Sequence, residues 1–430
     1  MTKGLSEPTS PLQIADYRLF LLGRFASVIA TVGMVVVIGW QVYDVARSDY
    51  GMSPATAAFQ LGILGLLQFV PLMVLTPVAG WAADRFDRRY LAAFAMSLDL
   101  VVALVLALAT MDERLSLPLL FSLAALHGAA RVFLGPASGA IAPNVVPPPL
   151  LPRAVAMSSI AWQSAAVIGP AAGGLLYGLA PSAAYWSSTA LLLLSIAAFL
   201  AIGPMPKVQM RNAHPFRLMA DGATFVWHER FLLGCITLDL FAVLLGGATA
   251  LLPVFARDIL QVGPEGLGQM RAAPAVGAAL VALFLSFRPL ERNVGVKMLL
   301  AVAVFGAATI GFGLSRNYAL SLGLLGILGA ADMVSVFVRG TLVQLNTPDE
   351  MRGRVSSISG LAISASNELG EMQSGLAAAL LGATGAVVFG GVGAIIVTTI
   401  WAYAFPELRR ARTFAPQYRQ TARTAEEPAS

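Results

Sequence analysis

Five acidic residues stand inside long apolar stretches of this chain: Asp99, Asp239, Asp332, Glu368 and Glu371, together with one arginine, Arg131. A charge in such surroundings costs at least about 2.5 kcal/mol unless it is paired, protonated or facing water. Burial and neighbouring charge both alter how tightly a carboxyl holds its proton, so a change of access moves a proton on or off. The chemistry on offer is proton carriage. Glu368 and Glu371 are three residues apart and share one helix face. Asp332 lies seven residues before Arg339, where a pair with another helix is as natural as a mutual one. For all five acids the plain alternative is an interhelix hydrogen bond that merely holds helices together. Other chemistries find little support. Cys235 is the single cysteine and the three histidines are scattered at 127, 214 and 228, so neither a disulfide framework nor a metal-ligand cluster is expected. With no Gly-x-x-x-x-Gly-Lys-Ser/Thr loop to cradle phosphates, no nucleotide cofactor and no enzymatic reaction are expected.

The elements that carry these residues must be membrane helices. Apolar residues make up 57% of the chain and charged ones 12%, outside the range of a soluble domain. Runs long enough to cross ~30 Å of hydrocarbon fall at 17–43, 56–80, 89–111, 116–141, 154–180, 182–204, 230–256, 265–287, 294–315, 317–343, 354–381 and 384–405. Lipid-exposed backbone must satisfy its own hydrogen bonds and no barrel-type alternation is present, so all twelve read as helices. The first run follows Asp16-Tyr17-Arg18 without a small-residue cleavage site and reads as a retained helix, not a signal peptide.

Lysine and arginine orient the chain. With both termini in the cytoplasm, twenty basic residues lie inside, five lie outside (Arg47, Arg114, Arg257, Arg271 and Arg316), and Arg24, Arg131 and Arg339 lie within helices. The net charge of +5 is thus a topological signal, and no nucleic-acid partner is assigned to it.

The chain also repeats itself, as a two-bundle transporter would. Pro148-x-x-Leu151-x-x-x-Val155 recurs as Pro348-x-x-Met351-x-x-x-Val355, and Gly169-x-x-x-x-Gly174-Leu175 as Gly370-x-x-x-x-Gly375-Leu376. Two six-helix halves, 1–204 and 230–405, are expected. Between them 205–229 reads as a cytoplasmic linker whose Phe216 to Trp227 stretch is a candidate surface-lying segment, and 406–430 as a solvated tail.

Three local motifs carry a resemblance. Gly80-Trp81-Ala82-Ala83-Asp84-Arg85-Phe86-Asp87-Arg88-Arg89 is a charged cassette that cannot sit in hydrocarbon, and it resembles motif A of the major facilitator superfamily. The resemblance implies small-solute transport by alternating access. It also implies a conformational latch at Gly80, Asp84, Arg85, Arg88 and Arg89, in which Asp84 docks at the N-terminus of the eleventh helix beside Arg352 and Arg354. A carboxylate at free helical N–H groups gains about 0.3 to 2 kcal/mol. The bland alternative is a basic loop that fixes topology, and Asp87 stands where the family commonly has glycine.

Ala165-x-x-x-Gly169-Pro170-x-x-Gly173-Gly174 resembles motif C, found mainly in proton-exchanging exporters, although ordinary close packing through glycine is physically the same object. Arg131-Val132-Phe133-Leu134-Gly135 partly matches motif B, whose arginine is linked to proton transfer. Along nearly the whole chain the sequence resembles the branch containing the enterobactin exporter, on stretches such as Trp40-Gln41-Val42-Tyr43-Asp44, Leu252-Pro253-Val254-Phe255-Ala256-Arg257 and Asn367-Glu368-Leu369-Gly370-Glu371.

The expectation is a monomeric, proton-coupled exporter of a siderophore or amphipathic drug-like molecule in the bacterial inner membrane, with the lipid bilayer as its surroundings. Trp40, Trp162, Phe241 and Phe337 are candidates to line its cavity, against lipid-facing or packing roles. Nutrient uptake is the alternative of the same class, and a non-transporting sensor or scaffold that of another.

Overall fold

The computed structural model of this protein describes residues 9–139, 141–205, 215–288 and 290–415. The described residues form helices and no strand. In the first half they are α1 (Ala15–Ser48), α2 (Pro54–Arg85), α3 (Arg88–Met111), α4 (Leu117–Gly139), α5 (Leu151–Leu179) and α6 (Pro181–Leu200). In the second half follow α7 (Pro215–His228), α8 (Arg230–Leu245), α9 (Gly263–Phe287), α10 (Val294–Leu314), α11 (Tyr318–Asn346) and α12 (Asp349–Ala404).

Among the described residues, ten helices are long and apolar enough to cross a membrane. One of them, α12, breaks at Gly382, whose φ of 73° leaves the helical path; this falls in the gap expected between 381 and 384. α5 spans 29 residues but is diluted by Ser158, Ser159, Gln163, Ser164 and four glycines, so it is long enough to cross without reaching the apolarity of the ten. Twelve crossing segments result in an all-α chain.

Several element boundaries differ from expectation, α2 running on to Arg85 among them, and two more matter here. The run 230–256 is not one helix: α8 stops at Leu245, Gly246-Gly247 interrupts it, and a 3-10 turn (Ala248–Leu251) leads to a π-helical stretch (Phe255–Ile259). A Cβ on Gly247 would meet Ser374 Oγ at 2.5 Å and Gly370 O at 2.7 Å, so the break is pressed against α12. Freed backbone groups at membrane depth are tolerated where protein covers them. The other difference is that α12 begins at Asp349, upstream of the arginines. Arg352 pairs with Asp349 at 2.6 Å and Arg354 with Asp221 of α7 at 3.5 Å, so one meets an acid of the helix start and the other an acid of α7.

The chain forms two compact units. One comprises Met1–Val45, Leu67–Asn212 and Gly263–Ala272; the other comprises Ala46–Leu66, Ala213–Val262 and Ala273–Ser430. The first contains α3 packed on α4 and α6. There Phe20 meets Phe199 edge-on at 6.2 Å, Ser195 Oγ donates to Gly23 O at 2.7 Å, and Tyr185 donates to Gln41 Oε1 at 2.5 Å. Interhelix bonds of this kind contribute about 0.6 to 2 kcal/mol each in a bilayer. The second unit packs α10 against α11 and α12, and α8 against α12, around Phe231, Leu232, Cys235, Met298, Val338 and Leu342. The linker helix α7 belongs to this core through buried Val226.

Small residues let the helices approach. A Cβ on Gly169 would stand 2.9 Å from Ile29 O, and one on Gly173 3.0 Å from Gly33 O, so one face of α5 lies on α1. A neighbouring face, at Gly174, lies on Gly268 of α9, whose Cα a Cβ would meet at 2.8 Å. Pro170 presents its carbonyl oxygen to the same glycine of α9.

Candidate functional site

In the second unit the pairing of charges is selective. Asp239 of α8 forms an ion pair with Arg339 of α11, and both are buried. This pair crosses helices, so Arg339 is not the partner of Asp332, which stands two turns earlier on α11. Asp332 nevertheless shares a cavity with Asp239, lined also by Val302, Phe305 and Ser335. Its room is about 10 Å³, close to what one water needs. Among the described residues Asp332 makes no hydrogen bond or ion pair. Two carboxylates thus line one cavity, and of the two only Asp239 is paired with a guanidinium.

In the first unit Asp99 of α3 faces His127 of α4, Oδ1 to Nδ1 at 2.8 Å, with each side chain 1% exposed. An ionised carboxylate only accepts, so against it Nδ1 is the donating nitrogen of the ring. Neither His127 Nε2 nor Asp99 Oδ2 has a protein partner among the described residues. One turn further along α4, Arg131 is exposed and its Nη1 donates to Gln68 Oε1 of α2 at 3.4 Å. The short reach is set by Gly128, where a Cβ would stand 3.0 Å from the Gln68 backbone.

Glu368 is buried and Glu371 half-buried on α12. The face they share meets α2 at Gly65, where a Cβ would stand 2.7 Å from Glu371 Cβ and 3.0 Å from Glu368 O. Both engage other groups, which sets them apart from Asp332.

At the charged cassette, the side chain of Asp84 lies outside the described residues. Nothing stands within 4 Å of a Cβ on Gly80, and Arg85 lies over the Trp81 ring at 5.4 Å. Asp87 explains its own departure from the family pattern, because it is the N-cap of α3 and accepts from the Arg89 backbone N–H at 3.0 Å. It also accepts from the Arg89 guanidinium at 2.6 Å, while Arg89 Nη1 donates to Ile202 O at 2.5 Å. The Arg89 hydrogen bond holds the Asp87 carboxyl below the usual carboxylate range, against partial burial. Arg88 also engages another group.

The aromatic candidates separate. Trp40 is 8% exposed and counts among the buried residues of α1. Trp162 and Phe241 are exposed, Phe241 stacking on Trp401 at 5.3 Å, and Phe337 is half-buried against Phe414 at 6.0 Å. Sequence reasoning passed over His127 and Gln68. A lone histidine in an apolar run was the available signal, since nothing apolar needs it.

Many apolar crossing helices, a broken segment at membrane depth and acids buried within the helices define a membrane transporter. A family model for the Major Facilitator Superfamily matches residues 20–371, and the chain belongs to that superfamily. Among curated proteins it is 26% identical over 415 residues to the enterobactin exporter of Escherichia coli O127:H6 (strain E2348/69 / EPEC), covering 93% of this chain and 94% of that one. The enterobactin exporter of Shigella boydii serotype 18 (strain CDC 3083-94 / BS512) is 26% identical over 411 residues with the same coverage. The fold matches that of a bacterial homolog to the human lysosomal transporter Spinster, with TM-score 0.70 and 15% identity over 94% of this chain and 98% of that one. A D-xylose-proton symporter matches with TM-score 0.70 and 13% identity, over 92% and 98%.

Proposed function

We propose that this protein is a proton-coupled exporter of small amphipathic molecules in the bacterial inner membrane. Its two six-helix bundles, 1–204 and 230–405, alternate access to a cavity, with both termini in the cytoplasm and the monomer as the working unit. The observation that carries proton coupling is Asp332, a carboxyl without a partner among the described residues, in the same cavity as Asp239, which is paired with Arg339. Ionised there, it is expensive; a proton removes the cost. In this reading Asp332 takes a proton when the cavity opens outward and releases it when the cavity opens to the cytoplasm. Asp239 stays ionised on Arg339 throughout. One proton falling through 100 mV supplies about 2.3 kcal/mol, enough for a roughly fifty-fold gradient at about 1.4 kcal/mol per decade.

Export, and a siderophore or drug-like cargo, rest on the likeness to enterobactin exporters and on the exporter-type glycine pattern Gly169, Pro170, Gly173 and Gly174. Arg131, Asp99, Glu368 and Glu371 have supporting parts in the proton path, and Gly80, Asp84, Arg85, Arg88 and Arg89 serve the latch. The test uses everted vesicles with a respiration-driven pH gradient, challenged with catecholate siderophores and then cationic amphiphiles while dye dequenching is recorded. Dequenching by one class, lost in Asp332→Asn and kept in Asp239→Glu, is expected. Dequenching that survives Asp332→Asn but not Glu371→Gln moves the coupling to α12. No response to any compound from expressed protein overturns antiport.

A further inference from the structure

An apolar pocket of about 600 Å³ opens in the first unit between α1 and α5, and its one charged lining residue is Arg18. Its walls come from Leu22 and Phe25 on α1 and from Met157, Ile160 and Ala161 on α5. The volume falls in the range of small-molecule sites, which are mostly apolar with a few placed polar groups. The two helices are tied beside it, where Tyr17, the neighbour of Arg18, donates to Ala154 O at 2.6 Å. It lies at the end of the unit where Asp16 accepts from Gly203 N at 3.2 Å and Arg89 donates to Ile202 O, the end assigned above to the cytoplasm.

The charge at this rim is one-sided. Arg18 is exposed, and among the described residues its side chain makes no hydrogen bond or ion pair. Arg153, one helical turn before Met157 on α5, is likewise exposed, and its side chain has no partner among the described residues. No carboxylate lines the pocket, and the nearby acids Asp16 and Asp87 are engaged by Gly203 and Arg89. A guanidinium is built to hold a carboxylate or a phosphate through two parallel hydrogen bonds. An apolar slot beneath a guanidinium that pairs with no carboxylate among the described residues fits a molecule with an acidic head and an apolar body, and it disfavours a cation.

We infer that the α1–α5 pocket is a binding site for an anionic amphiphile, which Arg18 holds by its acidic head while Leu22, Phe25, Ile160 and Ala161 cover its apolar body. The inference rests on the export reading to the extent that the occupant is cargo from the cytoplasm. It narrows that cargo to anions, against cationic drug-like molecules.

The test places the full chain in phosphatidylcholine nanodiscs and titrates the fluorescent fatty acid 11-(dansylamino)undecanoic acid, with its uncharged methyl ester as control. Saturable binding of the acid, at least tenfold tighter than the ester, is expected. Arg18→Gln should weaken the acid at least tenfold and leave the ester unchanged, and Arg18→Lys should restore most of the loss. Ala161→Trp, which fills the slot, should abolish both, with size-exclusion elution confirming folded protein. Equal affinity for acid and ester, or binding that ignores Arg18→Gln and Ala161→Trp, overturns the site. Displacement of the acid by phosphatidylglycerol added to the nanodisc assigns the pocket to bilayer lipid and overturns the cargo assignment. Binding without dye dequenching for any compound would sink antiport and leave this site standing; dequenching that survives loss of the site would do the reverse.

Discussion

Asp99 and His127 lock α3 to α4 through one hydrogen bond of 2.8 Å in the interior of the first unit. Neither has a second protein partner among the described residues at its outer atom, so each depends on the other. Removing one partner of a buried hydrogen bond costs about 1 to 3 kcal/mol, more where the group left behind is charged, because that group is stranded. His127→Ala and Asp99→Ala should each lower the melting temperature of the purified protein strongly. The double variant should melt near the singles and not at their sum. Additive losses would show that the two side chains are not coupled.

Asp239 and Asp332 share a cavity, yet substitution should separate them by sign. Asp239→Asn strands the buried Arg339 guanidinium and should destabilise by several kcal/mol. Asp332→Asn removes a carboxyl that pairs with nothing among the described residues, so stability should stay level or rise. Thermal unfolding in detergent decides the matter. A large loss in Asp332→Asn would mean that Asp332 holds structure, and its place in proton coupling would fall.

The crossing segments were legible because a bilayer imposes one requirement, about 20 apolar residues in a row, and that requirement is written in composition. The turn at Gly382 was legible for the same reason, since composition changes there. The break at Gly246-Gly247 was not, because the residues on both sides are equally apolar and the segment is covered by α12. Side-chain partners were less legible still. Arg339 is 100 residues from Asp239, and His127 is 28 from Asp99; which helix faces which is decided by packing, and no local pattern records it. The departure at Asp87 was visible as a residue out of pattern, whereas its reason, the cap of α3, required the Arg89 geometry.

Asp87 gives a pH dependence with a definite sign. Its folded-state pKa is lowered, first by the Arg89 hydrogen bond, so its contribution is present above the unfolded value near 3.9. That contribution is lost as pH falls through the lower folded value. Wild-type protein should therefore lose stability more steeply than Asp87→Asn below about pH 4. Asn still caps a helix, so at pH 7 Asp87→Asn should cost under about 1 kcal/mol, while Asp87→Ala loses cap and charge together. Melting curves from pH 3 to 7 test this, and parallel curves for wild type and Asp87→Asn would remove the Arg89 hydrogen bond from the account.

The glycine repeat read in the sequence acquires geometry in each unit. Gly174 of α5 meets Gly268 of α9 in the first unit, and Gly375 of α12 meets Gly62 of α2 in the second. In both crossings a Cβ would strike backbone, which cannot swing aside as a side chain can. Gly174→Val and Gly375→Val should each destabilise by about 1 to 3 kcal/mol from overpacking and should stop cargo-driven dequenching, since the helices can no longer close on each other. Gly80→Ala is the control: nothing stands within 4 Å of its Cβ, and alanine improves helix propensity by about 1 kcal/mol. It should melt at or above the wild-type temperature. If Gly375→Val melts like wild type and still transports, the glycines serve no close approach, and the repeat reduces to a coincidence of small residues in apolar sequence.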